Sequence, residues 1–262
     1  MSKNPLLSTN NAKTIKGEKL GIKTYILYLS PYNQNSKGIN ICSHASKGCS
    51  EACLFSSGMG GLFPTVQRGR LNKTEYFLRD RKGFLFQLKE EIENAIRLNK
   101  GKNKVVFRLN GTSDLPYEKY TVFEGKKNIF ELFPNVQFYD YTKNHLRFNK
   151  PLPSNYHLTF SRSETNHKKS MELLKKGFNV TFVFTKTPLT YLGYKVVDGD
   201  ENDLRFMDEQ NVIVGLRYKN MTGKGADNSL GIKSGFVIDT RHLTKDETYS
   251  KKKKESELVE LV

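Results

Sequence analysis

A chain of 262 residues can bury a core without disulfide or metal staples, and one α/β domain is the default expectation. Its 43 lysines and arginines against 27 acidic residues leave a formal charge of +16. That favours an anionic substrate or partner such as DNA, RNA or a nucleotide, although lysines scattered over a solvated surface give the same total. No apolar run approaches a bilayer span, residues Met1–Leu7 lack the apolar segment of a signal peptide, and three cysteines, an odd number, argue against a disulfide framework. A soluble, cytoplasmic protein with no membrane partner is expected.

Residues 1–20 are polar and lysine-rich without a clear period and are expected to form an arm or a loose first element. Thr24–Ser30 reads as the first strand. A polar loop, Pro31–Gly38, leads into the window 38–61 that holds all three cysteines. Pro64–Asp80 is expected to be helical, and Phe84, Leu85, Leu88, Ile92, Ala95 and Ile96 recur at the three- and four-residue intervals of an amphipathic helix reaching Asn99. Lys104–Leu109 is a second strand, followed by a helix over Asn128–Phe133 and a third strand over Val136–Tyr141. His157–Arg162 is the fourth strand, Asn166–Lys176 a helix closed by Gly177, and Asn179–Phe184 the fifth strand. Val212–Leu216 and Phe236–Ile238 are later strands. Such alternation predicts mainly parallel strands in a partial or complete (β/α) barrel, because each parallel crossover needs a helix. No repeat or linker divides the chain, so this barrel-like domain is expected over 21–245, with a charged tail over 246–262.

Several strands end in polar clusters, and their recurrence carries more weight than any one of them. Strand two ends in Asn110, Gly111, Thr112, Ser113 and Asp114, strand three in Asp140, Tyr141, Thr142 and Lys143, and strand four in Ser161, Arg162, Ser163 and Glu164. On parallel strands these ends meet on one face, where α/β folds place their chemistry, whereas on antiparallel hairpins they are turns. Asp198–Arg205 resembles a calcium loop in its spaced carboxylates but lacks the bidentate glutamate at the twelfth loop position. It reads as a polar turn, or as a site in which Asp200 or Asp203 faces the cleft and Arg205 grips an anionic group.

The cysteines Cys42, Cys49 and Cys53 are spaced C-x6-C-x3-C in one Gly- and Ser-rich loop after the first strand, with Gly58-Met59-Gly60-Gly61 behind them. Cysteines that merely pack are scattered among strands and helices, so three in one loop point to metal ligation. A structural zinc site needs a fourth ligand, which His44, His145, His157, His167 or His242 could supply. An iron–sulfur cluster on three thiolates leaves one iron open, and spacing alone does not separate the two metals. Three cysteines binding nothing, and a nucleophilic cysteine paired with a histidine, remain the other readings.

A cysteine triplet in the loop after the first strand, followed by a helix, resembles the cluster loop of radical S-adenosylmethionine enzymes, although the spacing is wider than their usual C-x3-C-x2-C. Phe107–Pro116 is similar in placement to the Gly-Gly-Glu-Pro segment that follows strand two in those enzymes, without its glutamate. From Tyr25 to about Phe236 the chain also resembles a phage family known as gene product 88, a resemblance that implies no activity. The superfamily resemblance implies a [4Fe-4S] cluster on Cys42, Cys49 and Cys53 with S-adenosylmethionine on the open iron. It also implies a pocket lined by Asn110, Asp114, Asp140 and Lys143, with Ser161, Arg162 and Glu164 beside them. The substrate expected for a basic phage-type enzyme is a nucleotide, nucleic acid or modified base.

Two other functions fit the residues. Base-exchanging transglycosylases are barrels with a Cys-rich zinc site, and Asp114 with Asp200 or Asp203 could serve as their paired nucleophile and base, although their cysteines come late in the chain. A zinc-stabilised module that binds nucleic acid through its lysines, without catalysis, needs no pocket.

Overall fold

The alternation of apolar runs with amphipathic stretches resolves, in a computed structural model, into one ten-stranded sheet. The structure describes residues 4–9, 12–51, 63–219 and 229–249. In chain order the elements are β1 (Leu7–Ser8), α1 (Ala12–Glu18), β2 (Ile22–Leu27), α2 (Lys47–Glu51), α3 (Pro64–Arg79), α4 (Arg81–Asn99), β3 (Lys104–Arg108), α5 (Ile129–Leu132), β4 (Gln137–Thr142) and β5 (Tyr156–Ser161). They continue with α6 (His167–Lys175), β6 (Val180–Phe184), β7 (Thr190–Tyr191), β8 (Tyr194–Asp198), β9 (Ile213–Arg217), α7 (Leu230–Lys233) and β10 (Val237–Ile238).

The strand order is β1-β2-β3-β4-β5-β6-β9-β8-β7, with β10 paired to β6. From β2 through β8 every neighbour is parallel, as the crossover helices require. The sheet does not close into the complete barrel that sequence alone allowed. Both edges are occupied by short antiparallel pieces, β1 on β2 and β7 on β8, so the first and last parallel strands never meet. The N-terminal stretch supplies β1 and α1, and it is held by side chains distant in sequence: Glu91 accepts the backbone N–H groups of Leu6 and Leu7, and Lys73 Nζ donates to the Leu6 carbonyl.

Helices start and stop where local chemistry dictates. Asp80 caps α4 by accepting the Gly83 N–H at 2.8 Å, and Asn128 with Glu131 forms a reciprocal capping box on α5. Gly177, at φ 90, takes the left-handed position after α6.

The two faces of the sheet differ in kind. Leu27, Phe107, Leu109, Phe138 and Leu158 point to the side covered by α3 and α4, where they pack with Phe77, Phe84, Leu88 and Ile92. Burial of each such side chain contributes about 1.5–3 kcal/mol. The opposite face carries Arg108, Tyr139, Tyr141, His157, Thr159, Ser161 and Thr181, in register across β3 to β6. A sheet buried between two helical layers reads as apolar on both faces. This one keeps a polar face, and the segment Asp203–Met207 lies against part of it, with Leu204 packed on Ile22, Val106 and Tyr139.

Candidate functional site

Because the strands run parallel, their carboxyl ends collect the polar clusters on one edge of the sheet. The β3 exit folds around Asn110. Its backbone N–H donates to Asp140 Oδ1 at 2.7 Å, its side-chain amide donates to the Leu115 carbonyl, and its Oδ1 accepts from Ser113 Oγ and Leu115 N–H. Gly111 sits so close to the β2 exit that a Cβ would lie 2.7 Å from Ile26 Cγ2 and Tyr28 Cδ1. Thr112 donates its hydroxyl to the Leu29 carbonyl. Asn110, Gly111 and Thr112 therefore build the turn that the cysteine loop leans on.

Cys42 is pinned to that turn. Its Sγ accepts the Tyr32 N–H at 3.5 Å and donates to the Thr112 carbonyl at 3.6 Å, while Asp114 N–H donates to the neighbouring Ile41 carbonyl. Seven residues on, the short α2 carrying Cys49 is fastened by Glu164 at the end of β5. The two Glu164 carboxylate oxygens accept from Ser46 Oγ and Gly48 N–H, each at 2.8 Å. Glycine at 48 is what permits the approach, since a Cβ there would meet Ser234 Oγ at 2.6 Å and both Glu164 Oε2 and Phe236 Cβ at 2.9 Å. Cys49 then packs against the Phe236–Val237 cluster that leads into β10, and Arg162 holds that lead-in by donating to the Gly235 and Phe236 carbonyls.

Lys143, the first residue beyond β4, reaches between these pieces. Its Nζ donates to Ser161 Oγ at 3.1 Å and lies 5.6 Å from the Phe236 ring centroid. Burial opposes the ammonium, but the negative charge that Cys49, then Asp114 and Cys42, carry when ionised outweighs it and raises its pKa. Asp114 fixes the backbone here. Its carboxylate accepts from Thr142 Oγ1 at 2.8 Å, Lys143 N–H at 2.9 Å and Arg147 Nη1 at 3.3 Å, and Arg147 is clamped in turn by Glu118. Asp114, Lys143, Ser161 and Glu164 thus follow or end β3, β4 and β5, with the loop carrying Cys42 and Cys49 fastened over these strand ends.

Other candidates fall elsewhere. Asp140 points to the helical side of the sheet, fully buried, accepting from Asn110 and from the Tyr156 hydroxyl; burial pushes its pKa up to about 7. Asp200 accepts the Arg217 N–H at the end of β8 and β9, and its carbonyl accepts Lys16 Nζ. Asp203 is committed to Arg108 at 2.8 Å, so neither aspartate is paired with Asp114 by these bonds. Arg205 is fully buried, ion-paired with Asp208 and bonded to the Asn202 carbonyl. Asp200 N–H donates to Asp198 Oδ1 and Leu204 N–H to Asn202 Oδ1, the bonding of a polar turn. Among the histidines offered as a fourth ligand, His44 turns to Ser43, His157 lies on β5 near Arg205, and His167 rests edge-on to Phe182.

Cys53 and the glycines at 58–61 lie outside the described residues. Among the described residues no group of three His, Cys, Asp or Glu side chains is arranged to hold a metal ion, and no helix is long and apolar enough to cross a membrane.

A family model described as gene product 88 matches residues 5–240. The chain belongs to the gene product 88 family. No curated protein matches it, and no solved structure does.

In this gene product 88 chain, Cys42 rests on the β3 exit and Cys49 sits on α2, both on the loop that follows β2. Sequence reading missed the polar face beneath this site. The Arg108 guanidinium lies 4.7 Å from the Tyr141 ring centroid and pairs with Asp203, which also accepts from the Tyr139 and Tyr141 hydroxyls. The signal was available in the strands themselves, because Arg108, Tyr139 and Tyr141 interrupt runs that should be apolar on both faces.

Proposed function

We propose that this gene product 88 protein is a phage-type metalloenzyme, similar in plan to radical S-adenosylmethionine enzymes, acting on a nucleotide, nucleic acid or modified base. In this reading Cys42, Cys49 and Cys53 hold a [4Fe-4S] cluster with S-adenosylmethionine at its open iron, in a partial barrel. The observation that carries it is the placement of Cys42 on the β3 exit, of Cys49 beside the lead-in to β10 and of Lys143 just beyond β4, all at the carboxyl ends of parallel strands, where such sheets place their reactive groups. When bound, such a centre supplies one-electron reduction of the cofactor and hydrogen abstraction from a substrate.

The chain's own residues have distinct tasks around it. Glu164 holds the cysteine loop on the sheet, and Asp114 fixes the backbone from which Lys143 extends. The polar face with Arg108, Tyr141 and Ser161 offers hydrogen-bonding groups to an anionic substrate, and a net charge of +16 draws such a substrate in.

Purification without oxygen, followed by assays of iron, sulfide and zinc and a visible spectrum, tests the reading. A brown protein with about four irons per chain is expected, as thiolate-held cubane clusters carry. A colourless protein with stoichiometric zinc refutes it in favour of a zinc site.

A further inference from the structure

The amino ends of the parallel strands lie a strand length, about 17–20 Å, from the polar carboxyl ends, and they carry a separate concentration of charge. Residues 16–23 and 97–104 hold seven cations against a single carboxylate, Glu18. Far apart in sequence, the two stretches are joined in space. Ile22 of β2 pairs with Lys104 of β3, the Lys104 N–H donates to the Gly21 carbonyl at 2.9 Å, and Asn99 Nδ2 at the end of α4 donates to the Tyr25 hydroxyl at 2.9 Å. Gly21 and Gly101, at φ 71 and 75, make the tight turns that present the lysines. Glu18 pairs with Lys23 at 3.8 Å. Arg97, Lys100, Lys102 and Lys104 are exposed and have no ion-pair partner among the described residues. Exposed Lys150, Lys175 and Lys176, which precede β5 and β6, extend the same edge.

Clustered like charge opposes the compact state, so nothing in the fold itself calls for such an edge, whereas a polyanion offsets it as lysines replace the condensed counterions. Neither stretch contains an aromatic residue, and single-stranded nucleic acid relies on aromatic side chains as stacking platforms. Duplex phosphates need only well-placed charge, which lysine supplies as a mobile point charge. A membrane surface fits less well, because interfacial binding uses a helix with a free apolar face. The apolar face of α4 is buried in the core through Leu88, Ile92 and Ala95, which leaves Ile15, Leu20 and Leu98 as the exposed apolar side chains at this corner. We propose that the amino edge of the sheet, centred on Lys100, Lys102 and Lys104, is a docking surface for the sugar–phosphate backbone of duplex DNA, gripping phosphates without reading sequence. The inference deepens the nucleic-acid part of the reading above and is independent of what the cysteine loop binds.

The test measures binding of the full chain to a short fluorescein-labelled DNA duplex by anisotropy, in salt from about 50 to about 200 mM. Wild type is compared with Lys100→Gln/Lys102→Gln/Lys104→Gln and with a charge-matched control, Lys119→Gln/Lys126→Gln/Lys127→Gln, which removes three exposed lysines between β3 and α5. Far-UV circular dichroism first confirms folding, and should the triple edge variant fail to fold, Lys100→Glu/Lys102→Glu carries the same comparison. At about 0.9 per phosphate contact, the loss of three contacts lowers the slope of log affinity against log salt by about 2–3 in the edge variant. The control keeps the wild-type slope. Equal slopes for the two triple variants overturn this surface and leave a nucleic-acid substrate at the carboxyl ends of the strands in place. Tighter binding of an RNA duplex of the same sequence overturns the choice of DNA. A wild-type chain that leaves the DNA duplex free overturns the surface as well, and its sedimentation with phosphatidylserine–phosphatidylcholine vesicles through the same lysines assigns the edge to a membrane instead.

Discussion

Replacing Glu164 with alanine should loosen the cysteine loop far more than it disturbs the sheet. The carboxylate makes two bonds to that loop, from Ser46 Oγ and Gly48 N–H, both at 2.8 Å. A hydrogen bond to a charged group contributes about 1.5–3 kcal/mol, and the half-buried position of Glu164 argues for the lower end. Two such bonds amount to about 3 kcal/mol, roughly a hundredfold in the equilibrium between docked and released loop. Hydrogen exchange at the amides of Gly48 and Cys49 reads this directly, with the amides of β4 as the internal control, because local opening is measured separately from global unfolding. Amide exchange at 48 and 49 should accelerate by about that factor while β4 is unchanged. Glu164→Gln, which keeps one acceptor for Gly48 N–H, should fall between. Exchange identical to wild type in Glu164→Ala refutes the claim that this carboxylate docks the loop.

The same junction predicts that Gly48→Ala costs about 1–3 kcal/mol through overpacking, since the new methyl group would meet Ser234, Glu164 and Phe236 at 2.6–2.9 Å; the urea midpoint reports it. Asp140 should make stability fall with rising pH. Its folded pKa is raised from 3.8 to about 7, so the folded chain binds the proton more tightly than the unfolded one and loses that advantage as pH rises from about 4 to about 7. Asp140→Asn, which mimics the protonated carboxyl toward Asn110 and Tyr156, should flatten that slope, and denaturation at pH 5 and pH 8 compares the two.

Much of the scaffold was legible because buried parallel strands write continuous apolar runs and α4 writes a three- and four-residue stripe; the observed ends differ from expectation by at most three residues. What escaped depends on distant partners or small elements. β1 and α1 sit in a polar, lysine-rich stretch, and β1 is fixed by Glu91 and Lys73, which no local pattern announces. The β7–β8 hairpin turns at Leu192 and Gly193, with φ of 50 and 80, and a leucine in that position is not a turn signal. At the site, the polar strand ends were visible but their direction was not fully used. Asp140 and Lys143 are three residues apart on an extended run, an odd number, so they emerge on opposite sides of the sheet. One enters the core with Asn110 and Tyr156, and the other reaches Ser161 and the Phe236 ring.

The way the cysteine loop is fastened also dictates an order of assembly. Cys42 rests on Thr112, 70 residues away, and the segment carrying Cys49 hangs on Glu164, 116 residues from Gly48. Neither anchor exists until β3 and β5 have taken their places beside β4, and contacts of such separation form late because long loops must close first. In the newly made chain the loop carrying Cys42 and Cys49 therefore docks only after the sheet is built, and until then it stays without its two anchors.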